Sequence, residues 1–328
     1  MVEIRARNVQ QAYARGLSLL RREGVLTDTR NGPAWVHPEP VMMVYERPRE
    51  RVLIDPVRNA NPFFHLMESI WMLAGRRDVK SIGRYIGSLK KYSDDGVIYN
   101  GAYGHRWREH FGIDQIVEIV EKLRKNPLDR RIVLQMWDAE QDLLSDSLDI
   151  PCNNLCYFRA RREPAWGMVL DMTVVCRSND AIWGAYGANA VHFSVLQEFV
   201  AAAAGMRMGM MWQLSNNLHA YVDMANKVGE PSYGSEYACY HIVPTSLFEK
   251  NSLVTTQMAL DQIEDFWDER LTGPGLLTQE ARDVITLMQA AHDMDQAKNR
   301  DEAVVLLSDS RKDWLVAGRQ WIERRRDK

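Results

Sequence analysis

The spacing of apolar residues changes from segment to segment along this chain, and each spacing predicts an element. Over residues 8–22, Val9, Tyr13, Leu17 and Leu20 recur at helical intervals among Arg and Gln, which predicts an amphipathic helix. Residues 27–39 open with Thr27-Asp28-Thr29-Arg30-Asn31-Gly32-Pro33, a polar, turn-rich run that predicts a loop. Short apolar runs at 41–45 and 51–54 predict strands on either side of a Pro/Arg turn. Residues 61–73 are apolar almost all round, with a single Glu, and predict a buried helix. A further helix is expected over 116–123, ended by Asn126-Pro127. Strands are expected over 131–137, 155–160, 167–176 and 210–218, and an apolar helix over 191–205, stopped by Gly205.

Strands and helices alternate, so the expected fold is α/β of the α+β type, a mixed twisted sheet flanked by helices. Near residue 230 the pattern shifts. Pro231-Ser232-Tyr233-Gly234-Ser235 resembles a linker, and helical, highly charged periods follow over 258–267, 280–291 and 302–323. The expected organisation is a catalytic domain over 1–230 with a helical C-terminal extension over 231–328 packed on it. Arg324-Arg325-Arg326 is expected at a solvated helix end.

Composition narrows the function classes. The 328 residues are 46% hydrophobic, enough for a large core. A net charge of −3 argues against a general nucleic-acid binder, so no nucleic-acid partner is expected. No apolar stretch is long enough to span a bilayer, and the first residues show no secretory signal. The four cysteines, Cys152, Cys156, Cys176 and Cys239, lack metal-knuckle spacing, so neither zinc nor disulfides are expected. The expected setting is a reducing cytoplasm, that of the host if a phage encodes the chain.

Candidate chemistry then concentrates at two places. Cys152 follows Pro151 at a strand entrance and precedes Asn153 and Asn154, polar surroundings in which a thiol can face a cleft and act as a nucleophile. Cys156 and Cys176 sit within apolar strand patterns and belong to the core. Downstream, Arg177-Ser178 offers a guanidinium fork with a hydroxyl, suited to gripping a phosphate. Arg130-Arg131 and Arg30 are further candidates, meaningful only if they converge on one anion.

These residues also fit a pattern. Glu68-Ser69-Ile70-Trp71, Tyr103-Gly104-His105-Arg106-Trp107-Arg108, Asp129-Arg130-Arg131-Ile132, Pro151-Cys152, Arg177-Ser178-Asn179-Asp180 and His219-Ala220-Tyr221 occur in an order that resembles thymidylate synthase and its relatives, the pyrimidine-nucleotide hydroxymethylases. The resemblance covers roughly residues 10–230. It implies a thymidylate-synthase-like fold. It implies that Cys152 attacks C6 of a pyrimidine nucleoside monophosphate and that C5 then takes a one-carbon unit from 5,10-methylenetetrahydrofolate, with no metal. By the same resemblance Glu68 manages protons, Tyr103 helps remove the C5 proton, and Arg30, Arg177 and Ser178 hold the 5′-phosphate. Arg130 and Arg131 reach the phosphate of a partner subunit, which implies a homodimer. Asp180 holds the pterin, with Glu68 and Tyr92 also on the folate side, and His219 and Tyr221 hold the sugar hydroxyl.

Four departures modify that expectation. The family loop Gly-Leu-Pro-Phe-Asn becomes Gly184-Ala185-Tyr186-Gly187-Ala188-Asn189, one residue longer. Asn189 then aligns with the base-reading Asn and leans toward uracil, while His192 nearby leaves cytosine open. The tryptophan that covers the pterin is replaced by the stretch Leu89-Lys90-Lys91-Tyr92-Ser93-Asp94-Asp95. The C-terminal sealing tail is replaced by a charged helical end over 321–328, and Asn153 stands where the family usually has His. Without cover and seal, water rather than hydride should finish the reaction. The expected activity is C5 hydroxymethylation, with dUMP favoured. Hydroxymethylation of dCMP or CMP, thymidylate synthesis, and a non-catalytic nucleotide- or RNA-binding homologue are the alternatives.

Overall fold

The computed structural model describes residues 1–229, 242–251, 253–270, 275–308 and 310–326. The linker-like stretch 231–235, the expected boundary at 230/231, Cys239 and the last two residues lie outside them. The strands are β1 (Val2–Ala6), β2 (Val25–Thr29), β3 (Gly32–Val36), β4 (Val41–Tyr45), β5 (Val133–Gln135), β6 (Asn153–Glu163), β7 (Gly167–Cys176), β8 (Asn179–Asp180), β9 (Arg207–Ser215) and β10 (Leu218–Tyr221). The helices are α1 (Val9–Glu23), α2 (Pro62–Leu73), α3 (Val79–Gly83), α4 (Tyr103–Arg108), α5 (Gln115–Lys125), α6 (Ala139–Asp142), α7 (Asn189–Ala203), α8 (Val222–Val228), α9 (Thr256–Trp267), α10 (Gln279–Gln296), α11 (Arg300–Leu306) and α12 (Asp313–Glu323).

A main sheet of six strands runs in the order β1-β4-β9-β7-β6-β5, and a smaller sheet of four runs β2-β3-β10-β8. The main sheet is mixed: β1 with β4 and β7 with β9 are parallel, and the other pairs antiparallel. Along β6 burial alternates, with Cys156, Phe158 and Ala160 buried and Tyr157 and Arg159 exposed, so one face of the sheet is covered and the other is bare. The two sheets are joined where the chain leaves β7 at Cys176 and enters β8 at Asn179.

Helix α7 packs against β7 and β9 of the main sheet, and α2 packs on α7. Asn61 caps α2 by accepting the Phe64 N–H (3.1 Å), and Pro62 begins it where no N–H is needed. Every residue of α7 is buried, and Gly205 ends the turn beyond it in the left-handed region, at φ +73°. Helices α9, α10 and α12 pack on α2, with Phe63 meeting Trp321 edge-on at 5.4 Å.

Four expectations need correction. Residues 27–39 are not a loop: β2 and β3 pair as a hairpin whose tip carries Arg30 and Asn31, and Gly32 supplies a φ of +108° there. Residues 51–54 are buried but join no sheet. Their backbone is held by side chains instead, as when Gln10 accepts the Ile54 N–H (3.1 Å). The run 210–218 is two strands, β9 and β10, separated by Asn216-Asn217. The run 302–323 is two helices, α11 and α12. The arginines beyond α12 are also less free than expected: Arg325 stacks over Trp321 at 3.7 Å, and Arg324 donates to Asn59 Oδ1 (3.1 Å). Among the described residues no helix is long and apolar enough to cross a membrane.

Helix α4 crosses the end of α2 at Gly104. A Cβ there would stand 2.1 Å from the Met72 carbonyl oxygen and 2.6 Å from its Cα, backbone that cannot swing aside. Gly104→Ala should therefore destabilise the protein by about 1–3 kcal/mol, read as a lower urea midpoint at unchanged slope.

Candidate active site

Strand β6 begins with an irregularity. Asn153 pairs with Cys176, but the next pair is Leu155 with Val175, so the register shifts at Asn154. The N–H groups of Cys152 and Asn153 both donate instead to the Tyr103 hydroxyl, each at 3.1 Å. On the other side Arg177 clamps the same turn. Its Nε donates to the Pro151 carbonyl (2.9 Å), its Nη2 to the Ile150 carbonyl (3.0 Å), and its backbone N–H to the Cys152 carbonyl (2.8 Å). Cys152 is thus fixed in position while its side chain stays partly exposed.

Burial pushes the Cys152 thiol above its ordinary range. Arg177 and Arg30 pull it down, and Asp149 pushes it up. Two of the proposed phosphate ligands are therefore also the cations that favour the thiolate. Burial likewise drives Tyr103 well above the usual phenol range, so its hydroxyl stays protonated. Cys156 and Cys176 are buried and their thiols raised by burial, as expected of core cysteines.

The small sheet gathers a second group. His219 on β10 lies in register with Asp180 on β8. Its Nδ1 is 3.0 Å from Asn217 Oδ1, and its ring meets Tyr221 edge-on at 5.3 Å. Tyr221 accepts the Asn31 side-chain amide (3.2 Å), which ties the hairpin tip beside Arg30 to the same sheet. Asp180 caps the turn that follows, its Oδ1 accepting the N–H groups of Ile182 (2.7 Å) and Trp183 (3.1 Å). Burial raises Asp180, opposed by those N–H groups, His219 and Arg58.

Residues 181–188 form a π-helix broken at Gly187. A π-turn holds one residue more than an α-turn, which accounts for the extra residue of the 184–189 loop without moving Asn189 from the start of α7. Asn189 sits between two other amides. Its Oδ1 accepts from Asn153 Nδ2 (3.2 Å) and its Nδ2 donates to Asn179 Oδ1 (3.0 Å).

Glu68 points from α2 toward α7. Its Oε2 is 2.9 Å from His192 Nε2, and both atoms are buried without an aligned hydrogen bond. Glu68 is close enough to act on Asp149, the residue that opens the Cys152 turn. His65 packs edge-on to His192 at 6.4 Å and is held neutral, burial lowering it well below the usual imidazole range.

The geometry thus brings Cys152, Tyr103, Arg177 and Asn189 into direct or bridged contact, with Arg30 and Glu68 within electrostatic reach. The Ser178 carbonyl accepts the Cys176 S–H (2.9 Å), which holds Ser178 beside Arg177. Tyr92 ends a short 3₁₀ turn with Lys91 over its ring at 4.9 Å. The following Asp94 binds Leu148 N–H and Asn100, so this stretch is tied to the segment before Cys152. Arg130 and Arg131 are not brought in: both are exposed, and Arg131 closes on Asp129 (2.9 Å). Among the described residues no group of three His, Cys, Asp or Glu is placed to hold a metal ion.

Four residues escaped the sequence reading. Asn179 carries no assigned role within its motif, and Asn153 stands out only as polar surroundings of Cys152 and as a departure from the family pattern. Arg58 and Trp183 carry no motif at all, yet Arg58 lies 4.5 Å over the exposed Trp183 ring beside Asp180. A rule that reads helical or strand spacing could not have paired residues so far apart in the chain.

The turn entering β6, α4 and α7 bring a thiol, a phenol and a carboxamide to one place, an arrangement suited to group transfer through a covalent intermediate, and the relatives make the class that of a one-carbon transferase. The chain belongs to the thymidylate synthase family, whose model matches residues 12–245. It is 44% identical to the deoxyuridylate hydroxymethyltransferase of Pseudomonas phage M6, over 99% of this chain and 95% of that protein. It is 35% identical to the enzyme of the same name from Bacillus phage SP01, over 65% of this chain and 57% of that one. A putative thymidylate synthase of Methanothermobacter thermautotrophicus is 31% identical over 51% of this chain and 72% of its own.

Burial raises Asp149 from an ordinary 3.8 to about 6. The fold therefore holds this proton more tightly than the unfolded chain does, and stability falls as pH rises through that window, then levels off above it. Asn at this position keeps an oxygen for the Gly101 N–H that Asp149 Oδ2 accepts at 2.8 Å. Asp149→Asn should raise the melting temperature relative to the parent at pH 7 and lose that gain near pH 4. The difference corresponds to roughly 2–3 kcal/mol.

Proposed function

We propose that this protein hydroxymethylates C5 of a pyrimidine deoxynucleoside monophosphate, dUMP first, with 5,10-methylenetetrahydrofolate as one-carbon donor. The observation that carries the reading is the near-complete coverage by a phage deoxyuridylate hydroxymethyltransferase at 44% identity. The site is consistent with it. Asp180 keeps one carboxylate oxygen beyond its cap, and the exposed Trp183 beside it offers a flat apolar face, together a fit for a pterin. Methylenetetrahydrofolate supplies the carbon that becomes the hydroxymethyl group.

The chain's own residues do the rest. The Cys152 thiolate adds to C6, and the ring charge passes through C5 toward O4, where C5 becomes the nucleophile. Tyr103 stands beside Cys152 to relay the C5 proton once the new carbon is attached. Elimination leaves an exocyclic methylene on the ring. Water adds to that carbon, and Glu68, with its unaligned oxygen facing His192, takes the water proton. Charge returning from O4 through C5 expels the Cys152 thiolate and restores the C5–C6 double bond. No hydride moves, so tetrahydrofolate leaves unoxidised. Arg30, Arg177 and Ser178 hold the 5′-phosphate, His219 and Tyr221 the sugar hydroxyl, and Tyr92 borders the folate.

The assembly we infer is a homodimer through the bare face of the main sheet. A shallow cavity of about 390 Å³ there is lined by Met42, Tyr157, Arg159, Asp171, Thr173 and Trp212. A second copy on this face explains why Arg130 and Arg131 stand apart from their own Cys152: they would serve the phosphate of the partner. The proposed setting is the cytoplasm, that of the host if a phage encodes the chain.

Mass spectrometry of the product from dUMP and methylenetetrahydrofolate should give 5-hydroxymethyl-dUMP with no dihydrofolate. A methylated product with stoichiometric dihydrofolate would replace this reading with thymidylate synthesis. Cys152→Ala should abolish turnover while the folded protein still binds dUMP. Trp212→Glu should shift the sedimenting species from dimer to monomer.

A further inference from the structure

Asn189 does not stand alone. From Tyr103 to Ser215 the hydrogen bonds run through three consecutive side-chain amides. Asn153 Nδ2 donates to the Tyr103 hydroxyl (2.9 Å) and to Asn189 Oδ1 (3.2 Å). Asn189 Nδ2 donates to Asn179 Oδ1 (3.0 Å), and Asn179 Nδ2 donates to Ser215 Oγ (3.0 Å). Asn153, Asn179 and Ser215 are buried, so water does not compete for these groups. The space for the relay is built in: a Cβ on Gly184 would stand 2.7 Å from Asn179 Oδ1 and 3.1 Å from Asn189 Nδ2.

A carboxamide has two N–H donors and two lone pairs. The relay uses one of each on Asn189, and the unused N–H and lone pair are what a base can meet. Uracil needs an acceptor for N3–H and a donor for O4. Cytosine needs the reverse, a donor for N3 and an acceptor for the 4-amino group. Rotating the Asn189 amide by half a turn exchanges one reading for the other. Its neighbours oppose that rotation, because it would set Nδ2 against Asn153 Nδ2 and Oδ1 against Asn179 Oδ1.

The opposition holds only while the neighbours keep their own sense. Both ends of the relay are hydroxyls, and a hydroxyl donates or accepts. In the observed sense the Tyr103 oxygen receives three N–H groups, and Asn153 Oδ1 is buried without a partner. In the reversed sense the Tyr103 O–H would donate to Asn153 Oδ1, Asn153 would accept from Asn189, and Ser215 would donate to Asn179. Each bond of the relay keeps one donor and one acceptor, and the unpartnered group at Asn153 becomes Nδ2 in place of Oδ1. The base read by Asn189 therefore depends on the direction of the whole relay.

We infer that Asn153 and Asn179 are positioning residues for base selection, and that position 153 sets the sense in which Asn189 is presented to the nucleotide. This rests on the reading of Asn189 as the residue that contacts the base. An acceptor-only side chain forces the sense. Aspartate at 179 can only accept from Asn189 Nδ2, which is the observed direction. Aspartate at 153 can only accept from the same Nδ2 on the opposite side, which is the reversed one. Two like substitutions flanking one residue must then move selectivity in opposite directions, which loss of structure alone cannot do.

The test is titration calorimetry of dUMP and dCMP into the full-length protein and its variants without folate, with folding checked by thermal melting. Asn153→Asp should move the ratio of dCMP to dUMP affinity toward cytosine by about tenfold or more, the scale of one mispaired buried amide. Asn179→Asp should move that ratio below the parent value, toward uracil. A ratio within about twofold of the parent for a folded Asn153→Asp, or an equal shift toward cytosine from both variants, overturns the inference. Should Asn153→Asp fail to fold, Asn153→Leu, which cuts the relay from Tyr103, must bring the two affinities closer by about threefold or more, and an unchanged ratio overturns the inference. Product identity from dUMP is assayed separately. A parent that makes no hydroxymethyl product while its variants shift in opposite directions sinks the proposed reaction and upholds the relay. Correct product with unmoved ratios does the opposite.

Discussion

Two backbone N–H groups at the start of β6 hold the site together. The register shift at Asn154 leaves the N–H groups of Cys152 and Asn153 without strand acceptors, and a buried N–H that bonds nothing costs as much as a broken hydrogen bond. The Tyr103 hydroxyl takes both. That requirement places α4 against the turn, and α4 reaches it because Gly104 lets the backbone pass over Met72. The phenol beside Cys152 is therefore structural before it is chemical. Arg177 completes the same constraint from β7, tying the carbonyls of residues 150–152 while its charge favours the thiolate.

Much of this was legible in the chain, for a physical reason. Buried elements such as 61–73 and 191–205 show in the sequence because most of their neighbours are apolar, and 167–176 shows because one face of its strand is buried. The motif residues Cys152, Tyr103, Arg177 and Asn189 were likewise named from sequence, and the structure places them side by side. What could not be read were choices made by partners distant in the chain. The 27–39 segment is polar because its hairpin is exposed, and it is a hairpin because β3 pairs with β10 from 180 residues downstream. Residues 51–54 are as apolar as a strand, but Gln10 and the core take their backbone and no edge is open to them.

The two sheets divide the work. Strands β6 and β7 present the thiol and one arginine, while β8 and β10 present Asp180, His219 and Tyr221, with Asn31 binding Tyr221 across the hairpin tip. Alongside the short link from Ser215 to Leu218, the peptide from Cys176 to Asn179 is a short path between them, and the Asn216 and Asn179 N–H groups stitch the two links together by donating to the Cys176 and Asn217 carbonyls. Arg177 and Ser178 lie on that path. A phosphate gripped there would be held to both sheets at once, so substrate binding and the relative placement of nucleophile and sugar contacts are one event.

The C-terminal helices bear on the water question differently from what the sequence suggested. In the sequence, residues 321–328 stand as a charged end where a sealing tail is expected. Instead Trp321 is buried against Phe63, on the stripe of α2 that also carries Met67. Glu68 lies on the neighbouring stripe with Phe64, facing His192 on α7. Among the described residues, then, α10 and α12 brace the back of the helix that carries the carboxylate, and do not lie over the thiol. Bracing and sealing have opposite consequences. A tail that seals excludes water and favours hydride, whereas a brace steadies α2 and with it the Glu68 carboxylate against His192. In the proposed reaction that steadied carboxylate is the base that receives the proton of the adding water, so the packing of the C-terminal helices bears on the chemistry through α2.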